Sequence, residues 1–130
     1  MAGELILIVE DNENNRLLVR DVLQSRGYQT AETDTAEEAL HLARVSRPAL
    51  ILMDIQLPGM NGIEAIKVLR AAADTRDIPV MAVTASAMTH DRQKIMAAGF
   101  DAYQSKPINV REFVEAVRAV LTTHGSPPST

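Results

Sequence analysis

The sequence contains no cysteine and no tryptophan, and only two tyrosines and two phenylalanines. Without cysteine, the protein has no disulfide bonds, thiolate zinc sites or cysteine nucleophiles. Because aromatic rings are so few, the core must be built mainly from aliphatic side chains. The sequence also lacks an excess of positive charge, since 13 basic residues face 17 acidic ones, a net charge of −4. That balance argues against nucleic acid as the main partner.

Long hydrophobic runs are missing as well. The longest, Leu5 to Val9 and Leu50 to Met53, fall far short of the ~20 residues that span a bilayer. The start of the chain lacks the basic segment of a secretory signal, and an acidic residue follows within the first ten positions. We therefore expect a cytoplasmic protein without a membrane partner. The 130 residues fit one domain, which we assign to residues 1–123, followed by a flexible tail over 124–130.

Three short apolar runs, at residues 5–9, 49–53 and 79–83, do not alternate apolar with polar side chains. Strands of this kind are covered on both faces, which is typical of parallel sheets. Residues 28–32 and 101–104 are weaker and more polar candidates for strands, and the first of them suits an edge position.

Helices are predicted between the strands. The first is a helix at 14–26, which carries Leu18 and Val22 four residues apart. The second follows a capping box at Thr35 to Glu38, the third follows Asn61, and the fourth, which is weak, covers residues 88–97. A fifth follows Asn109 and has five apolar residues on one face, which are Val110, Phe113, Val114, Val117 and Leu121. Five alternations of strand and helix predict an α/β protein, with a parallel sheet between two layers of helices.

Polar residues follow four of the predicted strands, where open α/β sheets bind their ligands. Glu10 and Asp11 follow the first strand, Asp54 the third, Thr84 the fourth and Lys106 the fifth. Adjacent carboxylates repel one another, and a hard divalent cation such as Mg²⁺ relieves that repulsion. One carboxylate can then accept a phosphoryl group, whose charge the metal, the ammonium and the hydroxyl stabilise.

These residues lie in four motifs, which are Ile8-Val9-Glu10-Asp11-Asn12, Leu52 to Gly62, Val83-Thr84-Ala85 and Ser105-Lys106-Pro107. Together and in this order they resemble the receiver domain of response regulators, the phospho-acceptor half of two-component signalling. The resemblance extends from Leu5 to Leu121. It implies a flavodoxin-like (βα)5 three-layer sandwich whose five parallel strands have the order 2-1-3-4-5.

The resemblance also implies a role for each residue of the acidic cluster. Asp54 is the phosphorylated aspartate. Asp11 is a direct Mg²⁺ ligand, Glu10 acts on the metal through water, and the backbone carbonyl of Gln56 is a further ligand. Thr84 hydrogen-bonds to the phosphoryl group and moves toward it.

The remaining family roles fall near the end of the chain and beside the acidic residues. Lys106 pairs with a phosphoryl oxygen, and its peptide bond to Pro107 is expected to be cis. Tyr103 is the switch aromatic, which turns inward when the strand-end threonine moves. Gln56 and Ser86 stand where the family tunes the lifetime of the phosphate.

The implied function is a phosphorylation-dependent switch and not an enzyme, with self-phosphorylation and slow self-dephosphorylation as its only chemistry. A histidine kinase or a histidine phosphotransfer protein donates the phosphoryl group. The output is a protein contact through the face formed by the fourth helix, the fifth strand and the fifth helix. The sequence does not decide whether phosphorylation also drives formation of a homodimer.

Three alternatives are kept. The chain is similar to short single-domain regulators, but also to the receiver modules of hybrid histidine kinases, from which it would be a fragment. A flavin- or nucleotide-binding module of the same fold is disfavoured, because carboxylates occupy the edge where phosphate-binding hydroxyls belong. An aspartyl-phosphate phosphatase is disfavoured by Gln56, since such enzymes resemble this chain but have a second aspartate there.

Overall fold

The computed structural model describes residues 3–85 and 89–125, leaving aside the side chains of residues 89–91 and 124–125. These residues form five strands that alternate with five helices. The strands are β1 (Leu5–Val9), β2 (Gln29–Thr33), β3 (Leu50–Asp54), β4 (Val80–Thr84) and β5 (Ala102–Ser105). The helices are α1 (Glu13–Ser25), α2 (Ala36–Ser46), α3 (Gly62–Ala71), α4 (Thr89–Ala97) and α5 (Val110–Val120). A π-helical turn (Leu121–Gly125) continues α5.

All neighbouring strands are parallel, and the sheet has the order β2-β1-β3-β4-β5. The predicted fold class and strand order are thereby confirmed. The register aligns the carboxyl ends of the strands along one edge of the sheet. The pairs nearest that edge are Val9 with Thr33, Val9 with Met53, Asp54 with Val83, and Thr84 with Ser105.

The core consists of two apolar layers, one on each face of the sheet. Leu7 and Val9 of β1 point into the layer under α2 and α3, whereas Ile6 and Ile8 point into the layer under α1 and α5. Every residue of β3 and β4 is buried, which explains why neither strand alternates in polarity. Each fully buried aliphatic side chain in these layers contributes about 1.5–3 kcal/mol of transfer free energy.

Side-chain caps fix where the helices begin. Helices α1, α3 and α5 each follow an asparagine whose side chain accepts a hydrogen bond from a first-turn N–H, and Asn61 with Glu64 completes a capping box. The box predicted at Thr35 is only half formed. Its hydroxyl caps Glu38 N–H at 3.2 Å, but the Thr33 hydroxyl intervenes, donating to the Glu38 carboxylate and accepting from Thr35 N–H.

Two apolar residues that the helical spacing singles out are exposed. Leu18 is 43% exposed, and α1 instead buries Val19 and Leu23. Both rows of side chains have the i, i+4 spacing of a helix face, and the crossing of α1 over the sheet decides which row is covered. Val110, the first residue of α5, is 40% exposed, although the later apolar residues of that helix are buried.

The amino edge of the sheet is tied together by one arginine. Arg70, near the end of α3, donates to the carbonyl oxygens of Gly99 at 3.0 Å, Arg76 at 2.8 Å and Ile78 at 2.7 Å. It also pairs with Asp101 at 2.7 Å, whose carboxylate accepts a backbone N–H at the start of β4. The side chain thus joins α3 to the loops that enter β4 and β5.

Within the described ranges, no helix has the length and apolar character needed to cross a membrane. The π-helical turn reaches Gly125. Residues 126–130 of the predicted tail lie outside the described residues, so the boundary at 123 stays a prediction.

Candidate functional site

The carboxyl edge of the sheet brings together the polar residues predicted to form a site. Asp54 ends β3 and Thr84 ends β4, while Glu10 and Asp11 directly follow β1 and Lys106 directly follows β5. Asp54 is paired in register with Val83, the residue before Thr84. Four stretches of chain that are distant in sequence therefore meet at one place.

Asp54 is buried, and both of its carboxylate oxygens have hydrogen-bond partners. Oδ1 accepts the backbone N–H of Gln56 at 3.0 Å, and Oδ2 accepts the Lys106 ammonium at 3.0 Å. Gly62 allows the following loop to pack on this residue, because a Cβ there would lie 2.8 Å from the carbonyl oxygen of Asp54. The position of the carboxylate is thus set by its own loop and by Lys106.

Lys106 follows β5, the edge strand that lies two positions from β3 in the sheet. Its backbone N–H donates to the carbonyl oxygen of Thr84 at 2.8 Å, and its peptide bond to Pro107 is cis, the isomer that the resemblance implies. Its ammonium lies 3.0 Å from Oε1 of Glu10 and 3.0 Å from Oδ2 of Asp54. The lysine therefore bridges two carboxylates.

Glu10 is buried, and its backbone and side chain are both held. Its N–H donates to the carbonyl oxygen of Thr33 at 3.0 Å, which extends the pairing of β1 with β2. Its second carboxylate oxygen accepts the N–H of Asn12 at 3.1 Å. Its carbonyl oxygen accepts a hydrogen bond from the guanidinium of Arg16 at 3.0 Å.

The electrostatics of the site follow from this crowding. Burial, together with the hydrogen bond to Asp54, raises the pKa of Glu10 from 4.5 to about 7. Burial acts to lower the pKa of Lys106, but its hydrogen bonds to Glu10 and Asp54 outweigh that effect and raise it. Lys106 therefore stays protonated, whereas ionising the carboxyl group of Glu10 costs free energy.

The acidic residues also fit a divalent cation. Glu10, Asp11 and Asp54 each offer a carboxylate oxygen, and these oxygens all lie within 4.8 Å of one another. Asp11 is exposed, so the cluster meets solvent on that side. Three ionised carboxylates and one ammonium leave a net charge of about −2, which a hard cation with oxygen ligands would neutralise. The same cation would also favour the ionised form of Glu10, against the burial that raises its pKa.

Two further predicted residues lie on the strands β4 and β5. Thr84 is buried at the end of β4. Tyr103 of β5 packs in part against the core layer under α2 and α3, and the guanidinium of Arg92 lies 5.5 Å from its ring centroid. The side chain of Gln56 is exposed. Ser86 lies outside the described residues, so its role stays a prediction.

The contacts that two residues of the site make could not be predicted from the sequence. Arg16 falls inside a predicted helix, where an arginine is most often a solvated side chain, and only the folded chain brings it to Glu10. Gly62 follows a turn-rich segment, and its close approach to Asp54 depends on the path of the whole loop.

The comparison with protein families gives one match over most of the chain. A model described as the response regulator receiver domain matches residues 6–118. Among curated proteins, the polar-differentiation response regulator DivK of Brucella anthropi is 50% identical over 116 residues, covering 89% of this chain and 94% of that protein. DivK of Brucella ovis is 49% identical over the same shares of both chains.

Solved structures agree with this match. The receiver domain of a sensor histidine kinase from Pseudomonas aeruginosa PAO1, with a magnesium ion coordinated in its active site cleft, superposes with a TM-score of 0.83. It is 34% identical, and the alignment covers 96% of this chain and all of that one. The receiver domain of a histidine kinase from Syntrophus aciditrophicus has a TM-score of 0.87 and 28% identity, with 98% and 97% of the two chains covered.

Proposed function

The chain belongs to the response regulator receiver domain family, and from that membership we propose that phosphorylation of Asp54 operates it as a switch. Receiver domains act in two-component signalling with histidine kinases or phosphotransfer proteins, as switches rather than as enzymes in the ordinary sense. The observation that carries the assignment to Asp54 is its contact with Lys106 at 3.0 Å, inside a cluster of three carboxylates.

The proposed reaction is a direct phosphoryl transfer. A carboxylate oxygen of Asp54 attacks the phosphorus of a phosphohistidine, the P–N bond breaks, and an acyl phosphate forms. The imidazole leaves as a neutral ring when its other nitrogen carries a proton, so charge and atoms balance. Little covalent assistance is needed, because positioning and positive charge do most of the work in such transfers.

The residues around Asp54 divide this work. Asp11 and Asp54 would hold Mg²⁺ directly, Glu10 through water and Gln56 through its backbone carbonyl, and the metal would supply positive charge to the phosphoryl oxygens. Lys106 already contacts one carboxylate oxygen of Asp54. Its ammonium, which has a raised pKa, would turn from the carboxylate to a phosphoryl oxygen. The hydroxyl of Thr84 would donate to another.

The output surface proposed from the sequence is the face of α4, β5 and α5. Tyr103 lies on β5, and the guanidinium of Arg92 on α4 lies over its ring. A rotation of the ring would therefore change a contact with α4. Phosphorylation adds about −1.5 to −2 charge to the site, and it shifts the balance between two states only as far as it favours one of them. A size measurement with and without beryllofluoride and Mg²⁺ tests whether the activated protein forms a homodimer.

We also propose that the chain acts as a response regulator of the DivK type. It is about half identical to the DivK proteins and covers 94% of their length, while the receiver module of a hybrid kinase stays an alternative. The flavin-binding and phosphatase alternatives gain no support from the relatives found. The cytoplasmic location stays a prediction from the sequence.

Transfer from a radiolabelled phosphohistidine donor in the presence of Mg²⁺ tests the proposal. We expect wild type to become labelled and Asp54→Asn to stay unlabelled. Asp74→Asn is the matched control, because it makes the same change at an exposed position and should be labelled like wild type. Equal labelling of wild type and Asp54→Asn would reject Asp54 as the acceptor.

A further inference from the structure

Arg16 of α1 makes two contacts beside the acidic cluster. Its Nη1 donates to the carbonyl oxygen of Glu10 at 3.0 Å, and its Nε lies 3.4 Å from Oε1 of Glu32, the last but one residue of β2. The arginine side chain is 20% exposed and that of Glu32 is 27% exposed. The guanidinium is therefore fixed between the end of β1 and the neighbouring strand.

The contact matters because of which peptide bond it holds. The carbonyl of Glu10 belongs to the peptide that joins Glu10 to Asp11, and a peptide group is rigid and planar. Fixing its oxygen fixes the plane from which the Asp11 side chain departs. The carboxylate of Glu10 is held independently, by Lys106 and by the N–H of Asn12. Arg16 is thus the side chain that secures the backbone between the two acids.

We propose that Arg16 is a positioning residue of the divalent-cation site, which orients Asp11 toward Asp54 without contacting the metal. The inference rests on the proposed function, since it requires a cation to bind at this cluster. Partners that orient metal ligands commonly affect metal affinity about tenfold or more when they are removed.

Charge and position make opposite predictions here. Arg16 is a cation close to the cluster, so if its charge were all that mattered, removing it would tighten the binding of Mg²⁺. If it positions Asp11, removing it weakens the binding. The sign of the change in affinity therefore separates the two roles.

The test is a titration with Mg²⁺ followed by the amide resonances of ¹⁵N-labelled protein. We expect Arg16→Gln to raise the Kd for Mg²⁺ about tenfold, and Arg16→Lys to fall between this variant and wild type, because lysine keeps the charge but not the planar fork. Arg20→Gln is the matched control. Arg20 lies one helical turn further along α1, pairs with the adjacent Asp21, and should leave the Kd unchanged.

Thermal unfolding without Mg²⁺ reports separately on the fold. A merely structural role would lower the melting temperature of Arg16→Gln and leave the Kd as in wild type, which would overturn the inference. Tighter binding would overturn it too. If Arg16→Gln does not fold, Arg16→Lys decides, and an unchanged Kd rejects the inference. Wild type that binds no Mg²⁺ would instead contradict the proposed function.

Discussion

The ammonium of Lys106 lies 3.0 Å from Oδ2 of Asp54, although 52 residues separate the two in the chain. The same ammonium lies 3.0 Å from Oε1 of Glu10. Because the carboxylates are buried and the lysine is only 17% exposed, this one cation offsets the repulsion between two acids that water does not reach well.

Removing the lysine charge should therefore destabilise the metal-free protein. For Lys106→Met we expect a loss of about 2–4 kcal/mol in the free energy of unfolding near pH 8, since two buried carboxylates lose their partner. Mg²⁺ should still bind and restore part of the loss, while phosphorylation no longer produces the conformational response. Urea unfolding with and without Mg²⁺ measures the first effect. Lys67→Met, at an exposed site on α3, is the control, and equal losses in both variants would contradict the expectation.

The stability of the metal-free protein should depend on pH through Glu10. Its pKa is raised in the folded state from 4.5 to about 7, so the folded protein binds this proton more tightly than the unfolded chain does. The resulting stabilisation is complete below about pH 4.5 and is lost as the pH rises through about 7. The variant Glu10→Gln should not show this pH-dependent loss of stability, because glutamine does not titrate.

Urea unfolding across this pH range should therefore show wild type losing stability relative to Glu10→Gln, by about 1–3 kcal/mol in total. Glu115→Gln, an exposed position on α5, should track wild type throughout. A constant difference between wild type and Glu10→Gln from pH 4.5 to 7 would show that Glu10 does not titrate as described.

A methyl group at Gly62 should disturb Asp54. The added Cβ would lie 2.8 Å from the carbonyl oxygen of Asp54 and 2.9 Å from Cα of Ile55, so backbone must move. Overpacking of this kind costs about 1–3 kcal/mol, which exceeds the gain of up to about 1 kcal/mol from placing alanine in a helix. We expect Gly62→Ala to be less stable and to accept a phosphoryl group more slowly than wild type. An increase in stability would contradict this expectation, because it would show that the loop accommodates the methyl group without a loss of free energy.

Arg70 should matter for stability and not for the chemistry of the site. Arg70→Ala removes one side chain that satisfies three carbonyl oxygens and pairs with Asp101. We expect a loss of about 2–4 kcal/mol, because several partly buried groups lose their partner together. Arg44→Ala, at an exposed site on α2, should cost little. Labelling of the folded Arg70→Ala protein should reach the wild-type extent, and failure of that labelling would show that the amino edge does influence Asp54.

The sequence predicts the strands to within one residue, for a physical reason. Residues 49–53 and 79–83 are apolar without alternation because both faces of these strands are covered, and that pattern ends where the chain leaves the core. Since parallel strands end at the same edge, Asp54 and Thr84 are placed together by their positions alone. The lateral order of the strands leaves no such trace, and only the resemblance to receiver domains supplied it.

Contacts that depend on how elements pack were not predictable in this way. The choice of Val19 over Leu18 as a core residue follows from the crossing of α1 over the sheet, which periodicity does not encode. The bridge from Lys106 to Glu10, in addition to its contact with Asp54, requires the side-chain positions. The carboxylate of Glu38 accepts the Thr33 hydroxyl where a capping box would have it accept a backbone N–H. No local sequence motif predicts this contact.

Helix α4 contributes fewer described side chains to the core than its neighbours α3 and α5 do. Among its described side chains, from Arg92 to Ala97, only Ile95 is buried, whereas α3 and α5 each bury four residues. Local opening of a segment costs little when few apolar groups are exposed by it. Amide hydrogens of α4 should therefore exchange with deuterated solvent before those of its neighbours, while the five strands stay protected. We therefore expect a change of charge at the carboxyl edge to alter this helix before it alters the sheet.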